Sequence, residues 1–382
     1  MDQRKLYFQD CHLDRFVARV VSCEQAEKGY AVTLSQTAFY PEGGGQACDL
    51  GTLGEARVLD VREQGEEVVH LCDKPLTPDT TVEGVIDWER RFDLMQQHTG
   101  EHIVSGIICR RYGWHNVGFH IGAEGITIDF DGPIPAEDLA DIEAEANRAV
   151  WDNLPVRCWV PAPQELPTVQ YRSKKALDWP VRIVQVPEVD SCACCGVHVE
   201  RTGEVGIIKL FSCVKFHQGV RIEMACGGRA LGILNTVYDQ NRQVSQAFSA
   251  KLFETGDAAR RMNTRLSETE YRCAALERQI WDSTAAGYAG KGNVLHMDAA
   301  LTPLAVRELA DRIAAVCGAT AAVCGENGSI CLMGPVAEVA QLGNRLKTEL
   351  NARGGGKPGI FQGTVPAGAA QLLAFFQGWF VK

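Results

Sequence analysis

Two pairs of side chains in this sequence have the types and spacing to hold a metal ion. The first is His98-Thr99-Gly100-Glu101-His102, and the second is Cys194-Cys195-Gly196-Val197-His198. On a helix, positions i and i+4 share a face, so His98 and His102 can meet one ion. Two histidines on a helix face are also often a solvated or core pair. The second pair tips that balance, because thiolate and imidazole are the ligands zinc prefers and four of them close a tetrahedron. The pairs are far apart in the chain, so each is an independent signal, and together they predict Zn2+ on His98, His102, Cys194 and His198. Cys192 and Cys195 could stand in for Cys194, which has the better spacing to His198, with Gly196 between them for a tight turn. Zinc can polarise a carbonyl or bring the pKa of a bound water to about 7. Four protein ligands describe a closed, structural site, whereas hydrolytic zinc keeps a position open. Loss of a ligand, five-coordination and a pocket-shaping role all stay open.

The elements that must position these residues follow from periodicity. Residues 1–90 carry short alternating runs at 16–21, 31–34, 56–59, 67–71 and 81–86, separated by Gly, Pro and Asp, which predicts a small β-barrel or sandwich. Residues 91–112 lack proline and place Leu94, His98, His102 and Ile103 at helical spacing, and Pro135-Ala136-Glu137-Asp138 opens a second helix over about 135–150. Strands are expected at 126–130, 181–186, 205–210 and 220–223, so the zinc-binding part, 91–228, reads as α+β. Residues 229–285 read as a long helical arm. Leu252, Ala259, Met262, Leu266, Cys273, Leu276 and Ile280 trace an a/d seam, weakened by Thr255 and Thr269, with a bend or turn at Gly256. The seam suits either a homodimer or an ordinary helical hairpin. After a glycine-rich linker at 286–292, residues 290–382 read as a small α/β domain. The fold class is therefore α+β, in four parts.

Composition narrows the functional classes. No run of about 18 apolar residues is present, so no membrane span is expected, and Met1–Asp10 has no signal-peptide core. These features predict a cytoplasmic protein. The 15 cysteines are then reduced; Cys23, Cys109, Cys158, Cys273 and Cys317 read as small buried hydrophobes. The net charge of −10 opposes nucleic-acid binding over the whole surface. Residues 341–382, however, carry Arg345, Lys347, Arg353, Lys357 and Lys382 against the single acid Glu349.

The two pairs, read as H-x-x-x-H followed by C-x-x-x-H, resemble the signature of the editing domain of alanyl-tRNA synthetases and of the free-standing AlaX deacylases. The flanks agree. Thr37-Ala-Phe-Tyr-Pro-Glu-Gly-Gly-Gly-Gln46 with Asp49-Leu-Gly51 is similar to that family's glycine-rich motif, and Asp87-Trp-Glu-Arg-Arg91 to its entry helix. Thr202–Gly206 and Gly219–Glu223 resemble the strands that follow the second pair. Gly354-Gly-Gly-Lys-Pro-Gly-Ile-Phe-Gln362 looks like the glycine-rich loop of the synthetase C-terminal domain, which implies a long form of AlaX. The resemblance implies hydrolysis, in trans, of the ester of mischarged tRNA(Ala), chiefly seryl and also glycyl. It implies that Thr37, Gln46 and Arg221 serve catalysis or substrate binding. It implies that Arg353, Gly354, Gly355, Gly356 and Lys357 meet tRNA, where backbone N–H groups of such a loop can face phosphate.

Two other readings compete. In one, zinc is structural and the chain binds tRNA without turnover. In the other, His98–His102 is the H-x-x-E-H motif of an inverted zinc peptidase, with Glu101 as base. Against the peptidase, Gly100 disfavours the required helix by about 1 kcal/mol relative to Ala, and both the second pair and the glycine-rich motif would go unused. No segment reads as an ATP-dependent aminoacylation core, so a free-standing enzyme is expected.

Overall fold

Alternation along the first strands closes them into a barrel. In β1 (Arg15–Ala26), Phe16, Ala18 and Val20 point inward while Val17 and Val21 are exposed. With β2 (Gly29–Leu34), β3 (Gly51–Leu53), β4 (Ala56–Gln64), β5 (Glu67–Cys72) and β6 (Thr81–Ile86) it forms a closed barrel in the order β1-β2-β5-β4-β3-β6. Val32, Phe39, Leu53, Val58 and Val61 fill its core. The three-residue β3, too short to show alternation, has no counterpart among the expected strands. The computed structural model describes residues 3–122, 125–173, 177 and 179–379; Lys382 lies outside them. It divides into two units, Met1–Gln243 and Val244–Lys382.

The barrel leads into α1 (Trp88–Tyr112), which starts earlier than its apolar periodicity because Asp87 caps it, accepting from the Arg90 N–H. Gly113 at φ 75 ends it. From Gln97 to Ile108 every residue of α1 is buried. The helix expected over 91–112 runs through Gly100. A Cβ there would stand 2.2 Å from Cys226 Sγ, so the glycine serves close packing. Around α1 lie β7 (Asn116–Ile121), β8 (Ile126–Phe130), α2 (Leu139–Trp151), β9 (Arg157–Trp159), β10 (Ile183–Val186), β11 (Asp190–Ala193), β12 (Ile208–Phe216) and β13 (Gly219–Cys226). They form a four-stranded sheet, β12-β13-β8-β7, and a three-stranded sheet, β11-β10-β9. The strand expected at 205–210 begins only at Ile208, because Thr202–Val205 makes a tight helical turn. Then comes α3 (Gly227–Ala247).

In the second unit, α4 (Thr255–Ala286) has Gly256 in its first turn, and the break expected near that glycine falls just before it, between Ala247 and Thr255. Cys273, expected buried, is exposed on α4. A sheet follows, built from β14 (Gly292–Met297), β15 (Gly318–Cys324), β16 (Ser329–Met333), β17 (Arg353–Gly355) and β18 (Ile360–Thr364) in the order β14-β15-β16-β18-β17. Ala321 and Val323 face α5 (Pro303–Cys317), while Ala322 and Cys324 face α6 (Val336–Glu349), so β15 is buried on both sides and reads as one apolar run. A short α7 (Ala369–Phe376) packs Leu372 and Phe376 into the α6 side.

Candidate metal centre

The glycine-rich segment is the first positioning device. Gly43 and Gln46 exchange both backbone hydrogen bonds, N–H to O at 3.1 and 3.0 Å, around Gly44 at φ 62 and Gly45 at φ 85. Two consecutive positive φ values are what a tight two-residue turn of the I′ kind demands, which explains two of its glycines. Behind it, Arg91 is wholly buried and forks onto Asp49, with Nε 2.8 Å from Oδ1. Arg91 also donates to the carbonyls of Ala38 at 2.6 Å and Cys11 at 3.2 Å, and Asp49 accepts the Tyr40 N–H. A buried ion pair with its remaining lone pairs satisfied thus ties the start of α1 to the barrel segment that carries Gln46.

The donor atoms of His98, His102, Cys194 and His198 all lie within 4.8 Å of one another. The three imidazoles are buried, and His98 Nε2 and His198 Nε2 each stand 3.4 Å from Cys194 Sγ. Cys195 is exposed, and Cys192 groups with His102 and Asp190, so Cys194 is the thiol that meets all three rings. Gly196 is needed here for approach rather than for a left-handed turn. A Cβ on it would lie 2.1 Å from His98 Cε1.

Each ring is held by its other nitrogen. Gln46 Oε1 accepts the Val197 N–H at 3.2 Å, which fixes it as the oxygen, and it stands 2.9 Å from His98 Nδ1. His98 Nδ1 therefore carries the proton and Nε2 is left with its lone pair. Asp190 Oδ2 accepts from His102 Nδ1 at 3.0 Å, and Arg172 clamps Asp190 with Nε at 2.6 Å and Nη2 at 2.9 Å. Thr99 Oγ1 takes the Val199 N–H and stands 3.1 Å from His198 Nδ1. Three nitrogen donors and one thiol, each imidazole oriented from behind, suit Zn2+. Burial alone would raise the Cys194 thiol, but His98 and His102 outweigh it and hold it well below its ordinary value. Burial also opposes charge on His102, yet Cys194 and Asp190 carry it well above its usual range, while burial and His98 push His198 well below.

Comparison with known proteins finds similar proteins over most of the chain. The family described as "Threonyl and Alanyl tRNA synthetase second additional domain" matches residues 181–223, and "tRNA synthetases class II (A)" matches 9–90. The alanyl-tRNA editing protein Aarsd1-A of Xenopus laevis is 29% identical, with 93% of this chain aligned to 92% of its own. The alanyl-tRNA editing protein Aarsd1 of Rattus norvegicus is 28% identical over 97% of both. The alanine–tRNA ligase of Ignicoccus hospitalis is 32% identical over 70% of this chain and 31% of the ligase. The chain is a relative of the alanyl-tRNA editing proteins.

Against that relationship, the other residues singled out in the sequence are placed as follows. Gln46 lies against His98, and its Nε2 is buried with no partner among the described residues. Thr37 is also buried. His70 is held neutral by burial, its pKa lowered to about 4, and its Nδ1 faces the Val32 carbonyl at 3.1 Å. His70 Nε2 therefore accepts the Thr37 hydroxyl proton at 2.8 Å, and Thr37 Oγ1 takes the Phe39 N–H. Both bonds are internal to the barrel, and neither reaches the four-residue cluster. Arg221 forks onto Asp129 of β8 at 2.7 and 2.8 Å and covers Phe216 at 3.8 Å. Arg353, Gly354 and Gly355 form the exposed edge strand β17, paired with β18, so this glycine-rich segment is a hairpin rather than a free loop. A Cβ on Gly354 would meet the Gln362 carbonyl at 2.4 Å, which accounts for that glycine. Gly356 and Lys357 lie in the turn between the two strands. Glu101 is buried, bonded to Ser105 and Asn116, with Oε2 3.9 Å from His102 Nε2. Asp190, Arg172 and Thr99 were missed in the sequence. Only the position of Thr99 inside the first histidine pair could have drawn attention to it.

Proposed function

We propose that this protein removes the amino acid from mischarged tRNA(Ala), acting in trans on the seryl ester chiefly and on the glycyl ester as well. The convergence of three imidazoles and a thiol, each imidazole with its own partner, carries this reading, and the editing activity named for its relatives supports it. Zn2+ bound by His98, His102, Cys194 and His198 would polarise the ester carbonyl or acidify a water. Gln46 fixes His98, and its free amide N–H groups offer donors to the substrate. A polar pairing of that kind discriminates between seryl and alanyl groups. Cys194 is less buried than the three histidines, which leaves the substrate an approach from its side.

The remaining parts take complementary roles. Residues 1–90 and 91–228 hold the ester, while 229–285 and 290–382 serve tRNA binding and pairing of two copies. Lys347, Arg353, Asn327, Asn351 and Thr364 line one groove of the second unit, a polar and basic surface suited to phosphate. Along α4, Met262, Leu266, Leu276 and Ile280 are exposed, a seam a second copy would cover. We place the activity in the cytoplasm, where the cysteines stay reduced.

The test is release of serine from seryl-tRNA(Ala), with alanyl-tRNA(Ala) as the control, by the wild type and by His102→Ala. Fast serine release with alanine spared, lost in the variant and on chelation, is expected. No release above the blank from a zinc-loaded protein would favour the structural-zinc reading that a four-ligand set also fits.

A further inference from the structure

A second cluster lies outside the centre already described. Cys11 Sγ is 3.6 Å from His12 Nδ1, and His12 Nδ1 is 3.6 Å from Glu200 Oε1. The ligand atoms of Cys11, His12 and Glu200 all fall within 4.8 Å of one another. The imidazole of this cluster is also held from behind. Here Glu204 Oε2 binds His12 Nε2 at 2.8 Å, while its Oε1 takes the Arg201 N–H at 2.9 Å. That carboxylate therefore orients the ring so that Nδ1 faces Cys11 and Glu200, the support that metal-bound histidines ordinarily have.

The backbone around the cluster is also built in. The Cys11 carbonyl accepts from the buried Arg91, the Glu204 carbonyl accepts from Gln96, and the His12 ring lies against Trp88 at 5.5 Å. Burial first, and then Glu200, Glu204 and Asp10, push the Cys11 thiol up to about 12, so it becomes a ligand only where a bound cation displaces its proton. A thiolate, an imidazole and a carboxylate suit Zn2+ among the divalent ions. Cys11 and His12 are half-buried and Glu200 is exposed, so the remaining position is open to water.

We propose that Cys11, His12 and Glu200 form a second zinc site, with Glu204 orienting His12. It would clamp the segment before β1 to the residues just beyond His198. It thereby joins the N-terminal segment to the ligand-bearing stretch of the first centre without sharing a ligand with it.

The experiment counts zinc per chain after equilibrium dialysis of the full-length wild type, Cys11→Ser, Glu200→Gln and Cys194→Ala. A chelator titration would add the affinity of each ion. The wild type should hold two ions. Cys11→Ser should hold one, and Glu200→Gln should hold its second ion at least tenfold more weakly. The side chain of Glu200 is exposed, so its amide variant keeps the fold and decides the matter even if Cys11→Ser does not fold. Cys194→Ala separates the two centres. If the wild type holds one ion that Cys11→Ser loses and Cys194→Ala keeps, the second site stands and the first falls. A single ion lost in Cys194→Ala, or a second ion bound with unchanged affinity in Glu200→Gln, would overturn the proposal.

Discussion

The cluster around Cys194 and the hairpin at Arg353–Thr364 were both marked by glycines and chemically able side chains, yet they are built in opposite ways. At the first, the three imidazoles are buried, Cys194 is half-buried, and every ring has a partner behind it. At the second, Arg353, Gly354 and Gly355 are exposed on the outer strand of a sheet. The difference teaches what a glycine is for. Gly196 makes room for the His98 imidazole, whereas Gly354 lets two strands approach and Gly355 has no neighbour at all within 4 Å of a would-be Cβ.

The largest expected effect tests this contrast directly. Gly196→Ala should displace His98 and abolish both zinc retention and serine release, by about a thousandfold or more in rate, on the scale of a lost catalytic centre. Gly355→Ala should change neither. Metal content and single-turnover deacylation would show it, and equal tolerance at the two positions would erase the distinction. Next comes Arg91→Ala, which strands Asp49 as a buried, unpaired carboxylate. A loss of about 3–5 kcal/mol is expected in urea unfolding of the full chain; a loss below about 1 kcal/mol would mean the pair is not what ties α1 to the barrel.

Smaller again, Asp190→Asn should keep the fold but weaken zinc by about 10- to 100-fold, because His102 loses the charge that orients it. Competition with a chromogenic chelator measures this, and unchanged affinity would remove Asp190 from the centre. The smallest effect belongs to the hairpin. Arg353→Ala should weaken tRNA binding uniformly and lower the salt slope by about 1, with ester hydrolysis at saturating tRNA untouched. An unchanged slope would take Arg353 off the RNA surface.

How far the sequence revealed these features depended on whether the signal was local. The two pairs that converge were legible as metal-ligand candidates because i and i+4 spacing and C-x-x-x-H are short-range patterns, and the barrel strands because alternation is local too. The partners behind the ligands were not, since Gln46 and His98, His102 and Asp190, or Thr99 and His198 meet only through the fold. The same holds for Thr37 and Arg221. The family resemblance implied substrate-binding or catalytic roles for them, and in the fold His70 and Asp129, remote in the chain, engage them. The role of Gly100 was hidden for a related reason: Cys226, whose sulfur a Cβ there would meet at 2.2 Å, is remote in the chain.

One consequence of the Gln46 oxygen concerns folding. It joins a barrel turn, a ring on α1 and the backbone of Val197, three pieces of chain that are strangers in sequence. A nascent chain whose barrel has not closed can display His98 and His102 but cannot aim them. Competence to bind a metal ion tightly would then arrive late, after the long-range pairings are made. Zinc retention would therefore serve as a checkpoint on maturation, separating finished molecules from those still assembling.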